Sequence, residues 1–134
     1  MASHKQMLAS IELLAERAAE KISLGKCPVG KHDSSEIVPK IPEIETLYMR
    51  AGWYPVQGKL ELAIVIATIA ICAGFRGKGI ATSLLAAVTC IALKYDYSYV
   101  VFENVCNPDF EAYLKRIGFD ANGEIFPVMT KRVP

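Results

Sequence analysis

The sequence predicts an α/β or α+β domain, and three observations carry that expectation. Lys59–Cys72 is rich in β-branched residues and reads as a long strand, a glycine-rich basic turn follows it, and Ile80–Leu93 then repeats apolar residues at helical spacing. Strand and helix signals alternate again to the end of the chain, as expected where helices lie on a sheet. With 134 residues the chain is long enough for one domain with a real core.

The first element is a helix from about Ser3 to Leu24, with Met7, Leu8, Ile11, Leu14, Ala15, Ala18 and Ile22 on one stripe. Ser3 suits its start and Gly25 its end. Lys26–Pro42 then carries Pro28, Gly30, Pro39 and Pro42 among polar residues without a period, so residues 26–44 read as a long loop, with residues 45–134 forming the sheet core. His32, inside that loop, reads as a surface residue. Glu45–Arg50 has strand character, and Gly52-Trp53-Tyr54-Pro55 with Gln57-Gly58 supplies turn residues before the central strand. Trp53 suits either a hairpin cap or a pocket wall.

Beyond the Ile80 helix, Tyr97–Glu103 reads as a strand. Asn107-Pro108-Asp109 is a helix start, with a capping amide, a proline at the first helical position and a carboxylate against the dipole. Phe110, Tyr113, Leu114 and Ile117 mark its apolar face and Gly118 its end. Asn122-Gly123 signals a turn, and Glu124–Val133 a final strand that Pro127 confines to an edge or a bulge.

Composition narrows the function classes. The net charge of +1 gives no electrostatic reason to expect nucleic acid as a partner. Cys27, Cys72, Cys90 and Cys106 lack paired spacing and lie mostly in apolar runs, so they read as buried thiols of a reducing compartment. No secretory signal is evident, and the expected location is cytoplasmic. The apolar runs Leu62–Phe75 and Ile80–Leu93 are each about 14 residues long, short of the roughly 17–25 that span a bilayer, so no membrane association is expected.

The turn Cys72-Ala-Gly-Phe-Arg-Gly-Lys-Gly-Ile-Ala-Thr carries the chemistry. A helix starting near Gly79 or Ile80 leaves its first N–H groups unpaired and points its positive dipole end at the turn, where an anion is stabilised. Gly77 and Gly79 remove side chains that would hold a phosphate off the backbone, Ala81 keeps the first turn slim, and Arg76 and Lys78 add positive charge. A Walker A loop would need Ser or Thr directly after Gly-Lys, and the dinucleotide fingerprint fails at Thr82. A glycine-rich turn also serves simply to reverse the chain.

Arg76-x-x-Gly79-x-Ala81 after a strand resembles the acetyl-CoA pyrophosphate loop of the GNAT superfamily, the GCN5-related N-acetyltransferases, whose pattern is Gln/Arg-x-x-Gly-x-Gly/Ala. Asn107 at the head of the late helix, Gly118-Phe119 at its end and Met129-Thr130-Lys131 in the last strand follow in the family's order, so the resemblance covers about Leu60–Val133. It implies a GNAT-like mixed, mostly antiparallel central sheet flanked by helices in a single domain, acetyl-CoA as acetyl donor, and an amine acceptor on a protein or small molecule. It also implies a donor site at Arg76, Gly77, Lys78, Gly79, Ile80, Ala81 and Thr82. The backbone of Ile69 and Ile71 would hold the pantetheine where two strands splay apart, and Asn107 would contact it. As an N-cap, Asn107 has an ordinary structural role beside that one.

Acetyl transfer to an amine needs an acceptor for the amine proton, donors for the oxyanion and an acid for the leaving thiolate. Many GNAT relatives place a tyrosine acid at the position that is Leu114 here. Tyr113 is the candidate acid, but one helical residue turns the side chain by about 100°, and packing is its plainer role. Glu103 is the candidate base, on a strand face shared by period two with Tyr97, Tyr99 and Val101, and is otherwise a surface acid. No metal is implied. The family's first strand has no counterpart, which leaves a sheet edge for a partner or a second copy. The preferred expectation is an N-acetyltransferase; the alternative is a catalytically impaired GNAT-fold module that binds CoA or a protein partner.

Overall fold

The computed structural model describes residues 4–23, 32–37, 44–71, 79–122 and 125–134. Among these, helices α1 (His4–Ser23), α2 (Ile80–Lys94) and α3 (Pro108–Arg116) accompany strands β1 (His32–Ile37), β2 (Ile44–Val56), β3 (Lys59–Ile71), β4 (Tyr99–Phe102), β5 (Asp120–Asn122) and β6 (Ile125–Arg132). The strands form one six-stranded sheet in the order β1-β2-β3-β4-β6-β5. Only β3 and β4 run parallel, joined by the α2 crossover; the other neighbours are antiparallel. The fold is therefore an α+β sandwich of helices on a mixed, mostly antiparallel sheet, as the sequence predicts.

The helices share one face. Met7, Ile11, Leu14, Ala15 and Ala18 of α1, with Leu84, Leu85 and Val88 of α2 and Leu114 of α3, pack in one core with Leu47, Met49, Ile64, Ile66, Val100 and Phe102 of the sheet. The α1 stripe read from the sequence is the buried one. Ala63, Val65, Val101 and Val128 form a second buried cluster on the opposite face, with Tyr54 and Tyr99 against it. The central strand is therefore buried on both faces, which is why its apolar run is continuous rather than alternating.

Several expectations need correction. Within the predicted long loop, His32–Ile37 pairs with Leu47–Gly52 as a strand. Its polar residues lack the apolar alternation that marks a strand, and it is ordered by pairing at the sheet edge. The strand expected to stop at Arg50 runs on to Val56 through Gly52 and Pro55, and only Gln57 and Gly58, at φ 50° and 82°, make the turn. Positive φ at both central residues marks a type I′ hairpin. Since Val56 and Lys59 flank that turn as a hydrogen-bonded pair, Pro55 opposite Leu60 falls at a non-bonded pair and loses no ladder bond.

Asp120–Asn122 is a short strand that the sequence pattern did not mark; it follows Gly118, at φ 104°, and pairs antiparallel with β6 up to Asn122↔Ile125. Beyond Ala121↔Met129 the next partners are Asn122↔Ile125, so β6 takes up extra residues around Pro127, the bulge its proline predicts. Tyr97 lies outside β4 and in the helix-side core, its hydroxyl donating to the Ala15 carbonyl at 2.8 Å, so it does not share the face of Glu103. Cys90 and Cys106 are exposed rather than buried. Cys90 precedes buried Ile91 by one residue, and that single 100° step carries it off the apolar stripe. Cys27 and Cys72 lie outside the described residues, as do Ser3 and Gly25.

Candidate functional site

The central strand carries an extra residue. Met49 stands opposite Ile66 and Tyr48 opposite Thr68, leaving Ala67 without a partner on β2. A bulge of this kind exchanges the two faces of a strand. Thr68 is exposed, whereas Ile69, three residues beyond Ile66, packs against the helix-side core.

The parallel neighbour ends beside this bulge. β4 pairs with β3 only from Ala63↔Tyr99 to Ile66↔Phe102. The Glu103 N–H then donates to the Ile66 carbonyl at 3.0 Å, and the Asn104 side-chain amide to the Ala67 carbonyl at 2.7 Å. Asn104, at φ 57°, turns the chain away, while β3 continues to Ile71. The two central strands thus part beyond Ile66, where β3 runs on to Ile71 without β4 paired beside it.

At the head of α2, Gly79 is the N-cap at φ 78°, in the left-handed region that glycine occupies without strain. Among the described residues no side chain caps this helix, and a Cβ built on Gly79 would meet nothing within 4 Å. The first-turn N–H groups of Ile80, Ala81 and Thr82 have no intrahelical acceptor and stand at the positive end of a 15-residue helix. Arg76, Gly77 and Lys78 of the expected phosphate loop lie outside the described residues.

α3 is built as its sequence announces. Asn107 Oδ1 accepts from the N–H groups of Asp109 at 2.8 Å and Phe110 at 3.3 Å. Leu114 is fully buried, whereas Tyr113 is half-exposed, stacked on Phe110 at 6.1 Å with Arg116 5.9 Å from its ring. The Tyr113 hydroxyl meets Oγ1 of Thr82 in the first turn of α2. The single-residue offset from Leu114 thus moves the tyrosine to the margin of the core and sets its hydroxyl against the N-terminal turn of α2.

Glu103 sits at the mouth of the strand separation, on the face opposite the helices. Its Oε1 is ion-paired with Nη2 of Arg50, and its Oε2 accepts from the Tyr54 hydroxyl at 2.7 Å. The Arg50 and Glu103 side chains are 23% and 21% exposed, so the pair is screened but reachable. Nε and Nη2 of Arg50 are buried without an aligned hydrogen bond. Burial, then the hydrogen bond to Glu103, push the Tyr54 hydroxyl well above the usual tyrosine range, so it stays a proton donor.

The structure gathers Ile80, Ala81, Thr82 and Tyr113 at one place, and Glu103 with Arg50 and Tyr54 at another. No hydrogen bond or ion pair joins the two candidate catalytic residues among those described. Arg50 and Tyr54 escaped the sequence reading because the strand was ended at Arg50. Once β2 runs to Val56, their spacing of four residues puts both on one face, a period-two signal that the extended strand makes legible.

No protein-family model and no curated protein matches the chain. Solved structures do. An Agrobacterium tumefaciens protein assigned as an acetyltransferase superposes with a TM-score of 0.55 at 18% identity, over 98% of this chain and 94% of its own. The AtaT toxin mutant bound to the C-terminus of the antitoxin AtaR and acetyl-CoA superposes with a TM-score of 0.50 at 18% identity, over 66% of this chain and 60% of its own. The chain spans 58% of another AtaT–AtaR structure and 59% of nourseothricin acetyltransferase. Together with the strand order, the two superpositions at TM-scores of 0.55 and 0.50 show the fold: it is that of the GNAT superfamily.

Among the described residues no helix is long and apolar enough to cross a membrane, and no cluster of metal-ligating side chains occurs.

Proposed function

We propose that the protein is an acetyl-CoA-dependent N-acetyltransferase acting on a primary amine of a protein or small molecule. The observation that supports this reading is the end of the β3–β4 pairing at Ile66 while β3 runs on to Ile71, together with a helix that begins at Gly79 without a side-chain cap among the described residues. The pyrophosphate would rest on the N–H groups of Ile80, Ala81 and Thr82, with Arg76, Gly77 and Lys78 completing the loop. The pantetheine would lie in the separation, hydrogen-bonded to the peptides of Ile69 and Ile71, with Asn107 beside it. The acetyl-CoA bound to the AtaT toxin mutant supports this donor.

In the transfer, the amine nitrogen forms a bond to the acetyl carbon, the carbon–sulfur bond breaks, and the amine proton passes to Glu103. The departing sulfur takes a proton; Tyr113 is the donor candidate read from the sequence, but its hydroxyl stands against Thr82, beside the proposed pyrophosphate site rather than the thioester. The buried Leu114, standing where GNAT relatives often place the acid, favours a second reading as a CoA- or partner-binding module of impaired activity. Isothermal titration of acetyl-CoA, followed by acetylation assays on a panel of primary amines, decides between them. Saturable binding with turnover supports the enzyme, binding without turnover supports the module, and no binding at millimolar ligand overturns the donor site.

A further inference from the structure

We propose that Arg50 and Tyr54, two residues of β2, are positioning residues that hold the Glu103 carboxylate at the strand separation. This rests on the reading of Glu103 as acceptor of the amine proton.

The sheet register brings the three together. Arg50 stands opposite Val65, and Val65 opposite Val101, so these side chains line up across β2, β3 and β4 on the face away from the helices. Glu103 lies two residues past Val101, on the same face and one step beyond the last ladder pair. Without a partner strand to fix it, its side chain would be free to swing at the point where β4 ends. Arg50 engages one oxygen and Tyr54 the other, which leaves the carboxylate a single orientation. An ionised carboxylate offers about four lone-pair sites, so two contacts leave sites for an incoming N–H.

The arrangement is also directional. Tyr54 remains protonated, so its hydroxyl donates to Glu103 and does not compete for the substrate's proton. Arg50 compensates the charge of a carboxylate that is only 21% exposed. Both supports come from the β2–β3 hairpin, while the donor site is built from β3, α2 and α3. Acceptor-side geometry can therefore fail while donor binding stays intact.

A kinetic double-mutant cycle tests this. Arg50→Met and Tyr54→Phe should each lower kcat for amine acetylation roughly 10-fold to 100-fold, the usual consequence of a misplaced reacting group. KM and affinity for acetyl-CoA should stay within about twofold, since neither residue touches the donor. In a Glu103→Gln background the same substitutions should cost nothing further, because they act only through Glu103. Arg50→Lys should recover part of the loss. The Arg50→Met/Glu103→Gln double variant removes both charges and keeps the cycle readable if Arg50→Met alone folds poorly. Losses that multiply in the Glu103→Gln background, or that appear in acetyl-CoA affinity, would overturn the assignment alone. A wild-type protein that binds no acetyl-CoA and acetylates no amine would overturn the functional reading and this assignment with it.

Discussion

Asn122, on the edge strand β5, donates its side-chain amide to the Pro55 carbonyl of β2 at 2.9 Å, although β3, β4 and β6 stand between the two strands in the sheet. The same side chain accepts from the Gln57 N–H at 2.9 Å, and Gln57 Nε2 donates to the Ala121 carbonyl at 2.9 Å. The sheet therefore curls until its β5 edge meets the β2–β3 turn. This explains how Ala63, Val65 and Val101 are buried on a face that carries no helix among the described residues.

Asn122 is 1% exposed and satisfies two backbone groups of the hairpin tip. Asn122→Ala should lower stability by about 1–3 kcal/mol, the usual cost of leaving buried polar groups unpaired. Gln57→Ala, which removes only an exposed bond, should cost within about 0.5 kcal/mol. Urea unfolding of the two variants checks the contrast, and equal losses would deny the clasp its importance.

Gly79 holds a left-handed φ of 78° with open space in front of it. Gly79→Val should leave a folded protein, at a cost of roughly 1–3 kcal/mol in backbone strain. It should also lower acetyl-CoA affinity at least about tenfold by closing the approach to the first-turn N–H groups. Circular dichroism and calorimetric titration separate the two effects, and unchanged affinity would remove α2 from the donor site.

Tyr113 and Leu114 differ by one residue and should fail differently. Leu114→Ala should destabilise the fold by about 2–5 kcal/mol, the range for truncating a fully buried leucine. Tyr113→Phe should leave the melting temperature nearly unchanged. A loss confined to kcat would mark it as the acid, and a loss confined to KM for acetyl-CoA would assign its hydroxyl, through Thr82, to donor binding.

Tyr54 gives a pH signature. Its pKa is raised in the folded state by burial and by Glu103, so the folded protein holds this proton more tightly than the unfolded chain does. Its contribution to stability is complete below the unfolded tyrosine value of about 10 and is lost as pH rises beyond it. Wild type should therefore lose stability between about pH 10 and 12 more steeply than Tyr54→Phe does. Parallel curves from thermal melts across that range would exclude the coupling.

The sequence by itself determined those parts of the protein whose interactions are local or periodic. Asn107 with Pro108 set the start of α3, the stripe from Met7 to Ala18 set the buried face of α1, and Gly79 set the head of α2, because caps and apolar periods are written into neighbouring residues. The GNAT-like order of motifs from Arg76 to Lys131 was legible for the same reason. Tertiary structure decided what depends on register and closure. Polar β1 is a strand through its pairing with β2, the Ala67 bulge returns Ile69 to the helix-side core, and curling of the sheet joins Asn122 to Pro55. Glu103 acquired its partners in the same way, since Arg50 and Tyr54 lie 53 and 49 positions away and meet it only across a curled sheet. Strand pairing couples residues through space, and no local spacing in the chain encodes which strand will lie beside which.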